Sequence, residues 1–110
     1  MNKQAIIYCR VDHNKILQPN HSNINFQRYA LENFATLHNI DIIGYYEDIG
    51  YTGSDINRPG LCKLLADTKT LNCRFILVFS LDRLFLSYTE RFNKYNALQI
   101  YSIKENLEIK

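Results

Sequence analysis

Arg10, Arg58 and Arg83, together with Asp12 and Asp82, are the side chains whose types and positions best suit chemistry, because all five follow apolar, β-branched runs. Arg10 and Asp12 leave the run 5–11, the segment 47–58 leaves the run 40–46, and Asp82 and Arg83 leave the run 74–79. In an open parallel sheet, sites lie outside the carboxyl ends of the strands, near the point where strand order reverses. Guanidinium groups take phosphate oxygens in pairs and stabilise charge developing in phosphoryl transfer without a metal. Three of them on one sheet edge point to phosphate, although rim salt bridges such as Arg10 with Asp82 fit the same spacing. Gly50-Tyr51-Thr52-Gly53 suits a phosphate cradle of backbone amides or a plain turn. Cys9, Cys62, Cys73, His13, His21 and His38 lack the paired short spacing of a zinc site, so they read as core cysteines and loop histidines, with no metal expected. Tyr45, Tyr46, Tyr51 and Tyr88 have rings that can stack on bases; Tyr45 is expected to be buried in a strand, which leaves Tyr51 as the contact candidate.

The elements that would position these residues follow from periodicity. Residues 5–11 are continuously apolar, the pattern of a strand buried on both faces, and 12–22 form a long aperiodic loop. Ile24, Leu31, Phe34, Ala35 and Leu37 recur at helical spacing behind Asn23, a good N-cap, which predicts a helix to about His38. A second strand is predicted over 40–46 and a polar, glycine-bearing loop over 47–55. Next comes a short helix capped by Asn57, with Pro59 in its first turn and Leu61, Leu64 and Leu65 as its buried stripe. Residues 74–79 read as a central strand and 80–86 as its exit loop. Ser87-Tyr88-Thr89-Glu90 has capping-box spacing, and Tyr88, Phe92, Tyr95 and Leu98 line one face of a short helix running directly into a last strand over 99–103. Lys104, Lys110 and the glutamates beside them read as a solvated end. This alternation predicts a three-layer α/β fold: a mostly parallel central sheet with helices on both faces.

With 110 residues, 46% hydrophobic and 22% charged, the chain suits a single globular domain spanning 1–110 and excludes disorder as its main state. A net charge of +2 falls far short of the basic footprint by which a domain holds duplex DNA through phosphates alone. No apolar stretch approaches a membrane span, no signal-peptide core follows Met1, and three cysteines without CxxC spacing suit a reducing cytoplasm.

Tyr8-Cys9-Arg10-Val11, the loop 50–61 with Arg58-Pro59-Gly60-Leu61, and Ser80-Leu81-Asp82-Arg83-Leu84, in this order and with Gln27 on the intervening helix, closely resemble the catalytic domain of the serine site-specific recombinases, the resolvase and invertase family. The resemblance runs from about Ala5 to Asn106. It implies a resolvase-type α/β domain that cuts DNA through a phosphoserine linkage and rejoins the strands after exchange, with no metal and no nucleotide cofactor. By the same resemblance Arg10, Gln27, Arg58, Asp82 and Arg83 fall on active-site positions, and Arg10, Arg58, Arg83 and Thr52 on positions facing DNA phosphate. Thr52 stands where many members carry serine, which keeps the hydroxyl.

Two positions depart from the family at its mechanistic centre. The nucleophilic serine belongs directly after the Arg-Val of the first strand, where this chain has Asp12, and a second active-site arginine is replaced by Leu86. A carboxylate nucleophile would give an acyl phosphate open to hydrolysis rather than a stable phosphodiester. An ionised Asp12 also repels phosphate while it can pair with Arg10 or Arg83. Removing a nucleophile costs ~10⁶ in rate in a well-studied hydrolase, and removing an electrostatic stabiliser ~10²–10³, so strand exchange is expected to be impaired. The helix after Asp82-Arg83 is shorter than the family's, and the long interface helix and DNA-binding region that follow the family's last strand are expected to be lacking beyond Lys110.

Three functions fit these observations. One is an active recombinase domain, a second is a recombinase-like domain without catalysis, either a degenerate remnant of a mobile element or a module that pairs with an intact recombinase or its DNA, and a third is a flavodoxin-like small-molecule binder using the same edge. Weak self-association, as a homodimer, is expected from apolar residues such as Tyr88, Phe92 and Tyr95.

Overall fold

A computed structural model describes residues 3–12, 23–52, 55, 57–84 and 98–109. β1 (Lys3–Val11) is buried from Ala5 onward and lies between β2 (Ile40–Ile49) and β3 (Phe75–Val78), parallel to both. β4 (Gln99–Ser102) pairs parallel to β3, and β5 (Leu107–Ile109) closes the edge antiparallel to β4, giving the order β2-β1-β3-β4-β5. The chain passes from β1 to β2 on one side and then crosses to β3 on the other, so strand order reverses at β1. Arg10 and Asp12 leave the sheet there.

The period of two along β1 divides the core. Ile6 and Tyr8 face α2 (Pro59–Leu71) and pack with Leu61, Leu64, Ile76, Val78 and Ile100. Ala5, Ile7 and Cys9 face α1 (Ile24–Leu37) and pack with Leu31, Ala35, Phe75 and Leu77. A strand buried on both faces by helices is the three-layer, mostly parallel α/β arrangement its apolar run predicts.

α1 begins where expected, with the Asn23 side chain accepting from the Asn25 N–H at 2.7 Å. α2 differs from expectation. Its N-cap is Arg58, not Asn57, and Arg58 caps nothing with its own side chain. The Asp48 carboxylate reaches across from β2 instead, accepting from the N–H groups of Gly60 at 2.7 Å and Leu61 at 2.9 Å. The loop expected at 47–55 is therefore partly strand, because Glu47, Asp48 and Ile49 keep backbone partners in Cys9, Arg10 and Val11. Side-chain polarity ended the predicted strand three residues early; the ladder on β1 extends it.

Gly60 permits this approach of helix to strand. A Cβ there would stand 2.3 Å from the Glu47 carbonyl oxygen, a backbone atom that cannot rotate away. Gly60→Ala is expected to cost about 3 kcal/mol, read as a lowered urea midpoint at unchanged slope.

Other expectations are corrected. Lys104 and Glu105 are exposed, as a solvated end requires, but that end also carries β5, and Glu105 accepts from the Leu81 N–H and the Ser102 hydroxyl. Tyr45 is 37% exposed rather than buried, because β2 is an edge strand, and its hydroxyl donates to Glu47. Cys62 is exposed on α2, while Cys9 and Cys73 are buried. The exit loop after β3 contains a 3-10 turn, Leu81–Arg83. The predicted capping box at 87–90, the helix bearing Phe92 and Tyr95, His13, His21 and Leu86 lie outside the described residues. Among the described residues no helix is long and apolar enough to cross a membrane, and no cluster of His, Cys, Asp or Glu could hold a metal ion.

Burial, with the Glu47 charge adding to it, pushes the Cys9 thiol up to about 12. At pH 8 it stays protonated and sheltered, whereas Cys62 meets solvent. A chromogenic disulfide reagent is expected to titrate one thiol rapidly in the native protein and all three after denaturation; fast reaction of two would overturn this assignment.

Candidate functional site

At the carboxyl end of β1 the backbone is held in place before any side chain acts. β3 accompanies β1 only as far as Tyr8, opposite Val78. Beyond it Gln27, fully buried in the first turn of α1, takes the place of a strand: its Oε1 accepts from the Arg10 N–H at 3.1 Å and its Nε2 donates to the Arg10 carbonyl at 2.8 Å. The amide thus fixes the residue from which the Arg10 side chain departs.

The Arg10 guanidinium is 3% exposed and well supplied with acceptors. Nε donates to the Arg83 carbonyl at 3.1 Å, Nη2 to the Asp82 carbonyl at 2.8 Å, and Nη1 to the Tyr51 carbonyl at 2.9 Å. Nη1 also donates to the Asp12 carboxylate, forming an ion pair. The rim salt bridge between Arg10 and Asp82 is thus replaced by a bond to the Asp82 backbone. Of the two partners open to Asp12, Arg10 is the one it takes.

Arg58 is fully buried; Nη1 donates to the Arg83 carbonyl at 3.1 Å and Nη2 to the Leu84 carbonyl at 2.7 Å, with the Tyr8 ring 5.7 Å from its centre. Arg83 is 5% exposed and donates from Nη1 to the Arg10 carbonyl at 3.3 Å. One carbonyl, that of Arg83, accepts from two guanidinium groups, so the turn and the three arginines form one unit. The Nε atoms of Arg58 and Arg83 are buried without a hydrogen-bond acceptor, a costly state.

Asp82 lies on the solvent side of the cluster. Burial works against its ionisation, but the Ser80 hydroxyl donating to it and the charges of Arg83, Arg10 and Lys104 outweigh that and hold the carboxyl below its ordinary value. Its Oδ1 is 3.6 Å from the Arg83 Nε, an ion pair longer than a hydrogen bond. Thr52 is exposed, next in the chain to Tyr51, whose carbonyl holds Arg10. The structure therefore joins Arg10, Asp12, Gln27, Arg58, Asp82 and Arg83 directly, and places Thr52 beside Tyr51.

Sequence reasoning missed Asp48 and Tyr8. Asp48 is 3% exposed and accepts from the Tyr8 hydroxyl at 2.7 Å as well as from α2. Burial raises the Tyr8 hydroxyl well above its ordinary value, against the pull of Arg58. No local signal marked it: Asn57 offered a cap beside Pro59-Gly60, and only the structure shows that the N-cap is Arg58, with no side-chain cap bond of its own.

The chain matches the family model of the resolvase N-terminal domain over residues 5–107. No protein of curated function matches it. Among solved structures, the N-terminal catalytic domain of TP901-1 integrase is 23% identical with a TM-score of 0.79, over 96% of this chain and 81% of that one. A resolvase family site-specific recombinase from Streptococcus pneumoniae is 21% identical with a TM-score of 0.77, over 97% and 76%. The C-terminal catalytic domain of ISC1926 TnpA, an IS607-like serine recombinase, is 22% identical with a TM-score of 0.75, over 91% and 70%. These likenesses are ones of fold.

Proposed function

Because this chain belongs to the resolvase N-terminal domain family, the fold of serine recombinase catalytic domains, we propose that residues 1–110 form one such domain whose arginine cluster faces DNA phosphate but whose strand cleavage is disabled. The observation that carries this reading is the ion pair between Asp12 and Arg10. At the position where the family resemblance puts a neutral nucleophilic hydroxyl, this chain has a carboxylate, and that carboxylate occupies the guanidinium which would otherwise meet a phosphate oxygen. An aspartate there repels the scissile phosphate, and any acyl phosphate it formed would hydrolyse instead of storing the bond for religation. The role left is binding: to DNA, weakly at a net charge of +2, to a second copy, or to an intact recombinase.

Covalent trapping tests it. The chain and an Asp12→Ser, Leu86→Arg version, each fused to an intact family member's long helix and DNA-binding region, are incubated with nicked crossover-site DNA. The protein–DNA adduct is read on a denaturing gel. Adduct from the repaired version alone is the expected result; equal adduct from the unrepaired chain would require another nucleophile and end this reading.

A further inference from the structure

The turn at residues 103–106, between β4 and β5, is fastened to the segment that leaves β3. The Ile103 N–H donates to the Val78 carbonyl at 3.1 Å, and the Lys104 N–H to the Phe79 carbonyl at 2.8 Å. The Ser102 hydroxyl, fully buried, lies 3.4 Å from that same Phe79 carbonyl and donates to the Glu105 carboxylate. Glu105 Oε1 in turn accepts from the Leu81 N–H at 3.2 Å. Leu81 opens the 3-10 turn, and Ser80 before it supplies no side-chain cap, so the carboxylate that caps this turn comes from 24 residues further along the chain.

What the turn holds gives the contact its consequence. Its carbonyls at Asp82, Arg83 and Leu84 receive two donors from Arg10 and two from Arg58. We propose that Glu105 is a positioning residue for the arginine cluster: by fixing the first amide of the Leu81–Arg83 turn, it fixes the carbonyl row on which Arg10 and Arg58 rest. The β4–β5 hairpin is thereby coupled to the site: the Glu105 carboxylate joins it to the turn itself, beside the two backbone bonds that fasten it to Val78 and Phe79. The proposal rests on the cluster's geometry and not on its cleaving or binding DNA.

The test reads the arginines directly, in the full chain and without DNA. Hydrogen exchange of the Arg10 Nε–H, of the Arg58 Nη–H groups that donate to the Arg83 and Leu84 carbonyls, and of the Leu81 N–H is followed by NMR in Glu105→Ala, Glu105→Gln and Glu105→Asp. Glu32→Ala, on the exposed face of α1, serves as the control. Loss of the Glu105 hydrogen bond is expected to speed exchange at these groups about tenfold in Glu105→Ala, with the far-UV spectrum unchanged. Gln keeps the acceptor and is expected to restore parental exchange, while Asp, one methylene shorter, is expected to resemble Ala. Parental exchange in Glu105→Ala, or no recovery in Glu105→Gln, would overturn the proposal. Should the Ala variant fail to fold, the contrast between Gln and Asp decides, and identical exchange in those two would overturn it.

Discussion

Asp48→Ala is expected to lower folding stability by about 3–5 kcal/mol, a large share of the roughly 5–15 kcal/mol that a domain of this size possesses. The carboxylate is 3% exposed and serves three donors: the Tyr8 hydroxyl at 2.7 Å and the N–H groups of Gly60 at 2.7 Å and Leu61 at 2.9 Å. Alanine leaves all three without an acceptor, the Tyr8 hydroxyl and the Leu61 N–H in buried surroundings and the Gly60 N–H partly so, at about 1–3 kcal/mol for each one that water cannot reach. It also strips the positive end of the α2 dipole of its counter-charge, so the slot that a helix N-terminus offers an anion is already filled from within. Milder variants separate these contributions. Tyr8→Phe leaves the two helix amides satisfied and is expected to cost about 1 kcal/mol. Asp48→Asn retains one accepting oxygen and should fall between Tyr8→Phe and Asp48→Ala. Urea denaturation of the four proteins checks the order, and an Asp48→Ala midpoint close to the parent's would show that the clamp contributes little.

Asp48 also marks where the sequence stops being legible. β1 could be read directly, because Ala5 to Cys9 are apolar on both faces, a property of the residues themselves. α1 could be read from its period and from Asn23, a cap two residues from its partner. Asp48 reads as loop because its partners lie 12, 13 and 40 residues away, and no local window contains them. β5 has three residues and depends on a turn in which Asn106 adopts a left-handed φ of 52°, so nothing in its own composition announces a strand.

The site divides in the same way. Convergence of Arg10, Arg58 and Arg83 on one edge follows from their places after successive parallel strands, which topology alone dictates. Their bonding does not follow, since four donors from Arg10 and Arg58 go to the carbonyls of residues 82–84. Every residue carries a carbonyl, so a sequence gives no sign of which ones face a guanidinium group. Charge pairing, which a sequence does display, suggested Arg10 with Asp82; the backbone of Asp82 is what Arg10 meets, and that leaves the carboxylate to Ser80 and Arg83.

Asp12→Asn is expected to tighten binding of a short single-stranded oligonucleotide about ten- to thirtyfold at low salt, with almost no change in stability. Stability should hold because Arg10 keeps its bonds to the Tyr51, Asp82 and Arg83 carbonyls. The lost ion pair has a partner that is 31% exposed, and such pairs contribute about 0–1 kcal/mol. Affinity should rise for two reasons that add. Asn holds Arg10 Nη1 only by a neutral hydrogen bond that a phosphate oxygen displaces more easily than an ion pair, and a unit negative charge no longer stands beside the incoming phosphate. Two like charges about 4 Å apart repel by roughly 4 kcal/mol at an effective dielectric of ~20; solvent reaching Asp12 reduces that to about 1.4–2 kcal/mol, the stated fold-change. Raising the salt to about 1 M, where the screening length is ~3 Å, should remove most of the gain. Net charge moves from +2 to +3 with the substitution, so Glu32→Gln, which makes the same change on the exposed face of α1, is the necessary comparison. Fluorescence anisotropy of the labelled oligonucleotide measures all three proteins. If Glu32→Gln tightens binding as much as Asp12→Asn, the gain belongs to overall charge and Asp12 does not guard the arginines. If Asp12→Asn alone tightens it, the carboxylate beside Arg10 is what keeps phosphate out.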